Sequence, residues 1–177
     1  MINPAYQDSW QQAKDVLDKQ GFVLLAQLLT QEAYTQLHEE IKKRTYTQEH
    51  QPALYNYAKA LVPEQAHKLL EEVTKQLELP TPTTTQLRRY AAGSYSLQDA
   101  DEAPAGYEYC FFFADEWNPD WRGEHTYAHP DKEPLRVPPQ ENALLIIKRD
   151  EQTKAFIKRV THHANNQSYH ALHANSR

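Results

Sequence analysis

The spacing of apolar residues changes character near residue 82, and that change narrows the folds open to this chain. Before it the period is mostly helical. Trp10, Ala13, Val16 and Leu17 fall on one face of a helix that Asp8 or Ser9 can cap and Gly21 can end. Phe22 to Leu29 reads as a short buried strand. Thr30 then opens a second helix carrying Ala33, Leu37 and Ile41. A third is predicted from Pro63 to Leu77, with Ala66, Leu69, Leu70 and Val73 inward. Pro80-Thr81-Pro82 closes this section. Beyond it short strands alternate with turn residues: 83–90, 95–97, 107–113, 125–128, 135–137, 143–148, 155–161 and 169–173. Helices first and antiparallel strands afterwards predict an α+β fold, a sandwich or barrel with helices packed on one sheet. A single domain over 1–177 is expected, helical over 1–80 and a β core over 82–177.

Composition removes several function classes. The chain has 177 residues, 40% of them hydrophobic and 24% charged, which is a globular balance. A net charge of −5, with basic pairs confined to sites such as Arg88-Arg89 and Lys148-Arg149, argues against nucleic-acid binding. The longest apolar runs, Phe22 to Ala26 and Ala143 to Ile147, have strand length, so no membrane span is expected. The lone Cys110 excludes an intrachain disulfide and fits a reducing compartment, the cytoplasm or, in a eukaryote, the nucleus. Its apolar strand, Tyr-Glu-Tyr-Cys-Phe-Phe-Phe, predicts a buried structural thiol.

Two stretches carry the chemistry. Tyr95-Ser-Leu-Gln-Asp99-Ala-Asp101 places two carboxylates around a turn, and the 155–161 strand runs into His162-His163. A carboxylate and a late histidine are two parts of a non-haem iron site, which needs two histidines and one carboxylate on one face of the metal. Asp99 stands where a His-x-Asp pattern would have its histidine. The competing view of the same residues is a solvated acidic turn and a structural histidine. His125 and His129, like His170 and His173, have the spacing of helical metal ligands, but they fall in strand or loop, where that spacing loses its meaning. Trp117, Trp121 and Tyr127 are packing residues or, if exposed, an interface for a protein partner.

Several segments taken in order carry a resemblance: Gly21-Phe-Val-Leu-Leu before a helix, Leu87-Arg-Arg-Tyr90 before Gly93-Ser-Tyr95, Glu116-Trp-Asn-Pro-Asp-Trp-Arg-Gly123, Pro138-Pro-Gln-Glu-Asn142-Ala-Leu-Leu, and Phe156 to His162. The chain resembles the iron(II)/2-oxoglutarate oxygenases of prolyl-hydroxylase type, and within them the C-terminal domain of the ribosomal prolyl hydroxylases. The resemblance implies a double-stranded β-helix (a jelly roll of cupin type). It implies Fe(II) and 2-oxoglutarate as cofactors if the domain is active, with Asp99, Asp101 and His162 at the metal positions. Tyr90, Tyr95 and Ser168 fall at co-substrate positions, Ser168 where the family has a basic residue to pair the co-substrate's remote carboxylate. A dianion beside an extra Asp99 carboxylate and without that cation is poorly held. Three functions follow as expectations: a non-catalytic module acting through protein–protein interaction, an active dioxygenase hydroxylating a prolyl side chain, or a different metal enzyme using the spare histidines. A translation-related protein partner or substrate, or a homodimer, is the expected association.

Overall fold

The computed structural model describes residues 1–97 and 105–176, so the Asp99 and Asp101 positions lie outside the described residues. Three helices, α1 (Trp10–Gln20), α2 (Gln31–Lys42) and α3 (Glu64–Gln76), precede most of the sheet. Their ends follow local chemistry. Thr30 accepts a hydrogen bond from the Ala33 N–H to cap α2, and Gly21 at φ 81° closes α1 in a left-handed turn.

Eleven antiparallel strands among the described residues form one curled sheet: β1 (Phe22–Ala26), β2 (Thr47–Gln51), β3 (Tyr55–Ala60), β4 (Thr84–Ala91), β5 (Tyr95–Ser96), β6 (Gly106–Phe113), β7 (His125–Ala128), β8 (Leu135–Val137), β9 (Ala143–Arg149), β10 (Lys154–Ile157) and β11 (Ser168–Ser176). The order is β1-β9-β6-β11-β4-β3-β5-β10-β7-β8, with β2 flanking β3. The curl turns on β3, whose end at Ala58 to Ala60 pairs with β4 while Tyr55 and Asn56 pair with β5. It brings β7 over β6, where the Tyr127 hydroxyl donates to Glu108 at 2.8 Å. The result is the double-stranded β-helix that the resemblance implied, with helices on one face.

Strand alternation sorts the core into two compartments. Tyr109, Phe111, Phe113, Leu144, Ile146 and Leu172 face the helices, meeting residues such as Leu17, Leu37 and Leu69. Cys110, Phe112, Leu145, Tyr169 and Ala171 face the barrel interior, against Tyr127, Ala155 and Ile157. Both faces of β6 are therefore buried, which explains its unbroken apolar run.

The strands depart from expectation in three places. The hairpin β2–β3 falls in the section read as helical. β2 is exposed along most of its length, so Thr-Gln-Glu-His-Gln has no buried face to imprint an alternating pattern. The first strand ends at Ala26 because Gln27 turns to φ 52°. Asn142 then takes over as partner, its Oδ1 accepting from Leu29 N–H at 2.9 Å and its Nδ2 donating to Leu29 C=O at 2.8 Å. The strand expected over 155–161 stops at Ile157. Past that point Lys158 N–H donates to Glu124 C=O and Val160 N–H to Ser94 C=O, so the backbone leaves the ladder. His162 consequently does not end a strand. It sits exposed on a 3-10 turn, its ring 4.1 Å from that of His163.

Candidate buried metal centre

The densest group of titratable side chains lies inside the barrel, where neighbouring strands put it by register. His173 on β11 stands directly opposite Cys110 on β6. The curl brings His125 of β7 over the pair, so that one ligand atom from each of the three falls within 4.8 Å of the others. All three are buried. Tyr90 from β4 and Tyr169 from β11 stack at 5.0 Å between centroids, Tyr90 sets its ring edge-on to both histidines, and Phe112 packs edge-on to His125 at 4.8 Å.

Hydrogen bonds fix the protons. Burial pushes the Cys110 thiol up, and Glu108 adds to the effect, so sulfur keeps its proton and donates to His125 Nδ1 at 3.5 Å. The His125 proton must then sit on Nε2, which points at the Tyr169 oxygen 3.3 Å away. The Tyr169 hydroxyl in turn donates to Gly123 C=O at 2.9 Å. Burial, with Arg88 adding to it, pushes His125 down to about 3 and His173 well below the usual imidazole range, so both rings are neutral. The Tyr90 hydroxyl meets His173 Nε2 at 3.2 Å.

Gly123 is part of this arrangement. At φ 83° it is in the left-handed region, and a Cβ there would lie 3.0 Å from Tyr169 Cε1 and 3.1 Å from Val160 Cγ2. A hydrogen would be the largest group that fits. Below the cluster, Arg149 donates to Glu108 at 2.7 Å, and both are buried; with Tyr127 they tie β6, β7 and β9 together.

The residues singled out from sequence meet different fates. Tyr90 reaches the cluster; Tyr95 is half-buried on β5 opposite Asn56, and Ser168 is half-buried at the start of β11 opposite Ala91. Tyr127, an interface candidate, is buried and bonded to Glu108, so it presents no surface to a partner. Trp117 and Trp121 are half-buried and meet edge-on at 5.2 Å, Trp117 also capping Tyr169 at 4.9 Å. Cys110 is buried as expected, but with two histidines for company. His170 and His173, three apart on a strand, point to opposite faces: His170 packs against Tyr46 and His38 on the helix side.

The same curled sheet recurs in solved oxygenases. A Pseudomonas putida prolyl-4-hydroxylase superposes with a TM-score of 0.78 at 12% identity, over 96% of this chain and 99% of that one. A Trichoplax adhaerens prolyl hydroxylase, solved with a hypoxia-inducible-factor peptide, gives 0.74 at 13% identity over 94% and 88%. The fold is that of the 2-oxoglutarate oxygenases. A Burkholderia pseudomallei protein of the 2OG-Fe(II) oxygenase family shares this oxygenase fold at a TM-score of 0.68 and 9% identity, over 99% and 92%. In sequence, mouse prolyl 3-hydroxylase OGFOD1 is 30% identical over 102 residues, 55% of this chain and 18% of that enzyme's length. No family model matches the chain.

An iron centre of this oxygenase fold would need a carboxylate beside its imidazoles. Among the described residues the converging donors are one thiol and two imidazoles, a softer set. β11, which follows the turn bearing His162, has the sequence Ser-Tyr-His-Ala-Leu-His-Ala-Asn-Ser and offers no Arg or Lys to a co-substrate carboxylate. The described residues alone do not make an iron/2-oxoglutarate site; its carboxylates would have to come from Asp99 and Asp101, which lie outside them.

Proposed function

We propose that this chain is a non-catalytic module of prolyl-hydroxylase-like fold that works by binding another protein. The observation that supports it best is the filled barrel: Tyr90, Tyr169, Phe112, His125 and His173 pack ring against ring with next to no exposed surface. These rings are neutral and hold their places against one another, and the buried cation beside them, Arg88, donates to the Tyr90 hydroxyl and lies over the Tyr57 ring. His162, the histidine that sequence assigns to the metal, stands exposed on its turn, and Asp99 and Asp101 would have to supply the remaining ligands. Among the described residues no helix is long and apolar enough to cross a membrane.

The binding face in this proposal is the segment after β6. Trp117 keeps part of its surface open beside a groove lined by Gln27, Gln31, Glu116, Pro139 and Gln140. A half-exposed indole backed by Tyr169 is a rigid anchor of the type interfaces use. A translation-related partner, which the resemblance read in the sequence implies, is the first to try, and a homodimer the second.

The second reading is an active dioxygenase acting on a prolyl side chain, favoured by the likeness to a prolyl hydroxylase solved with its peptide. Anaerobic titration with iron(II) and 2-oxoglutarate separates the two. The module is expected to give no visible charge-transfer band at millimolar co-substrate. A band that disappears in His162→Ala would replace the module with the enzyme.

A further inference from the structure

We propose that Cys110, His125 and His173 form a buried site for one copper(I) ion. The ligand types come first: thiolate and imidazole are donors that select copper(I) and zinc over iron(II) or magnesium. The spacing comes next. A metal bonded to sulfur at about 2.3 Å and nitrogen at about 2.1 Å holds those two atoms roughly 3.6 to 3.8 Å apart, from a tetrahedral to a trigonal angle. Cys110 Sγ and His125 Nδ1 already stand at 3.5 Å, so that edge of the site is preformed. The remaining edges are within 4.8 Å, and binding would draw them in by turning the nearly parallel rings of His125 and His173 toward the ion.

Orientation is also supplied. His125 directs its Nδ1 lone pair at sulfur because its Nε2 hydrogen is taken by Tyr169, itself anchored on Gly123 C=O. A metal-bound histidine is commonly held this way through its second nitrogen. Tyr90 gives His173 a comparable hydroxyl contact.

Charge and ligand number decide the ion. Binding breaks the Cys110 S–H bond and forms a sulfur–metal bond, and the proton leaves for solvent; no electron is transferred. A monovalent ion replaces that proton one for one and leaves the buried charge unchanged. A divalent ion would leave an added positive charge among Phe112, Tyr90 and Tyr169, where uncompensated charge is strongly disfavoured. Structural zinc also takes four ligands, whereas the cluster holds three.

The test uses the full chain, reduced and free of metal, titrated anaerobically with copper(I) against a coloured copper(I) chelator. One equivalent is expected to be retained, and X-ray absorption of the wild-type complex should show one sulfur and two nitrogen neighbours. Cys110→Ala is expected to lower affinity at least a hundredfold while His162→Ala leaves it unchanged, with circular dichroism confirming that each variant is folded. Retention of no copper by the wild-type protein would overturn the site. So would bound copper without a sulfur neighbour, which needs no variant to detect. Retention of zinc(II) in preference to copper(I) would overturn the assignment of the ion.

Discussion

The two faces of β6 and β11 are made by the same strands and differ in nearly every property of their side chains. Toward the helices stand Tyr109, Phe111, Phe113, Leu172 and Ala174, and the packing is mostly hydrocarbon. Toward the barrel, Phe112 and Ala171 stand beside Glu108, Cys110, Tyr169 and His173, and each of those four buried residues is bonded through polar atoms to a residue on another strand. Apolar burial favours folding wherever it occurs, whereas a buried polar group must recover in hydrogen bonds what it loses in hydration. The helix side therefore supplies stability, and the barrel side spends part of it to hold particular atoms at particular places.

The largest effects should separate the faces by mechanism. Phe111→Ala, which leaves a cavity against the helices, is expected to cost about 3–5 kcal/mol in urea unfolding. Glu108→Ala should cost a similar 3–5 kcal/mol by leaving the buried Arg149 charge without its carboxylate. The two then diverge on rescue. Adding Arg149→Met should recover part of the Glu108→Ala loss and none of the Phe111→Ala loss; equal recovery in both would show that the faces are not energetically distinct.

Next in size is Gly123→Ala, expected to cost about 2 kcal/mol through its left-handed backbone and the crowding of Tyr169. A melting temperature like that of wild type would mean that Tyr169 can shift, and that the orientation of His125 is soft.

Among the described residues the helix side has two buried histidines whose titration is shifted, His170 and His38, and they sharpen the contrast. His170 packs against Tyr46 and His38, with Arg89, Lys42 and Asp115 also acting on it. Burial pushes His170 down to about 3, and its Nδ1 has no hydrogen-bond partner among the described residues. Burial also lowers His38, although the nearby Asp115 opposes that shift. The unfolded chain takes up these protons near pH 6.5 and the folded chain resists, so stability is full above pH 6.5 and falls as pH drops toward 3. For His170 the loss at pH 5.5 is about 1 kcal/mol. A His170→Phe variant should flatten that part of the pH profile; an unchanged slope would place the acid sensitivity elsewhere. Smallest of all, His162→Ala should change stability by less than about 0.5 kcal/mol, because the residue is exposed on its turn.

Legibility in the sequence follows the same division. The helices and most strands were readable because each has one face in an apolar core, which imposes a period of 3.6 or 2. β2 was not, since an exposed strand has no face to mark. The cluster was hidden for a different reason: Cys110, His125 and His173 become neighbours through register and curl, and neither leaves a trace in local spacing. One signal was available. Cys110 shares parity with Phe112 and His173 with Tyr169, so a correct β6–β11 pairing would have put both on the barrel side. The late histidine was misplaced because a chain that leaves its ladder at Ile157 still looks strand-like through Val160 and Thr161.

The position of β11 has a consequence for how the protein is made. It is hydrogen-bonded along its length to β4 on one side and β6 on the other, yet it follows the ten other strands in the order of synthesis. A ribosome adding about 5–20 residues each second leaves β4 and β6 with facing edges unfilled for several seconds. During that interval Phe111 and Phe113 lie on a strand whose flank toward β11 stays open even after β9 has paired, which is where a chaperone or a neighbouring nascent chain would take hold. The centre of this sheet is thus completed after its flanks.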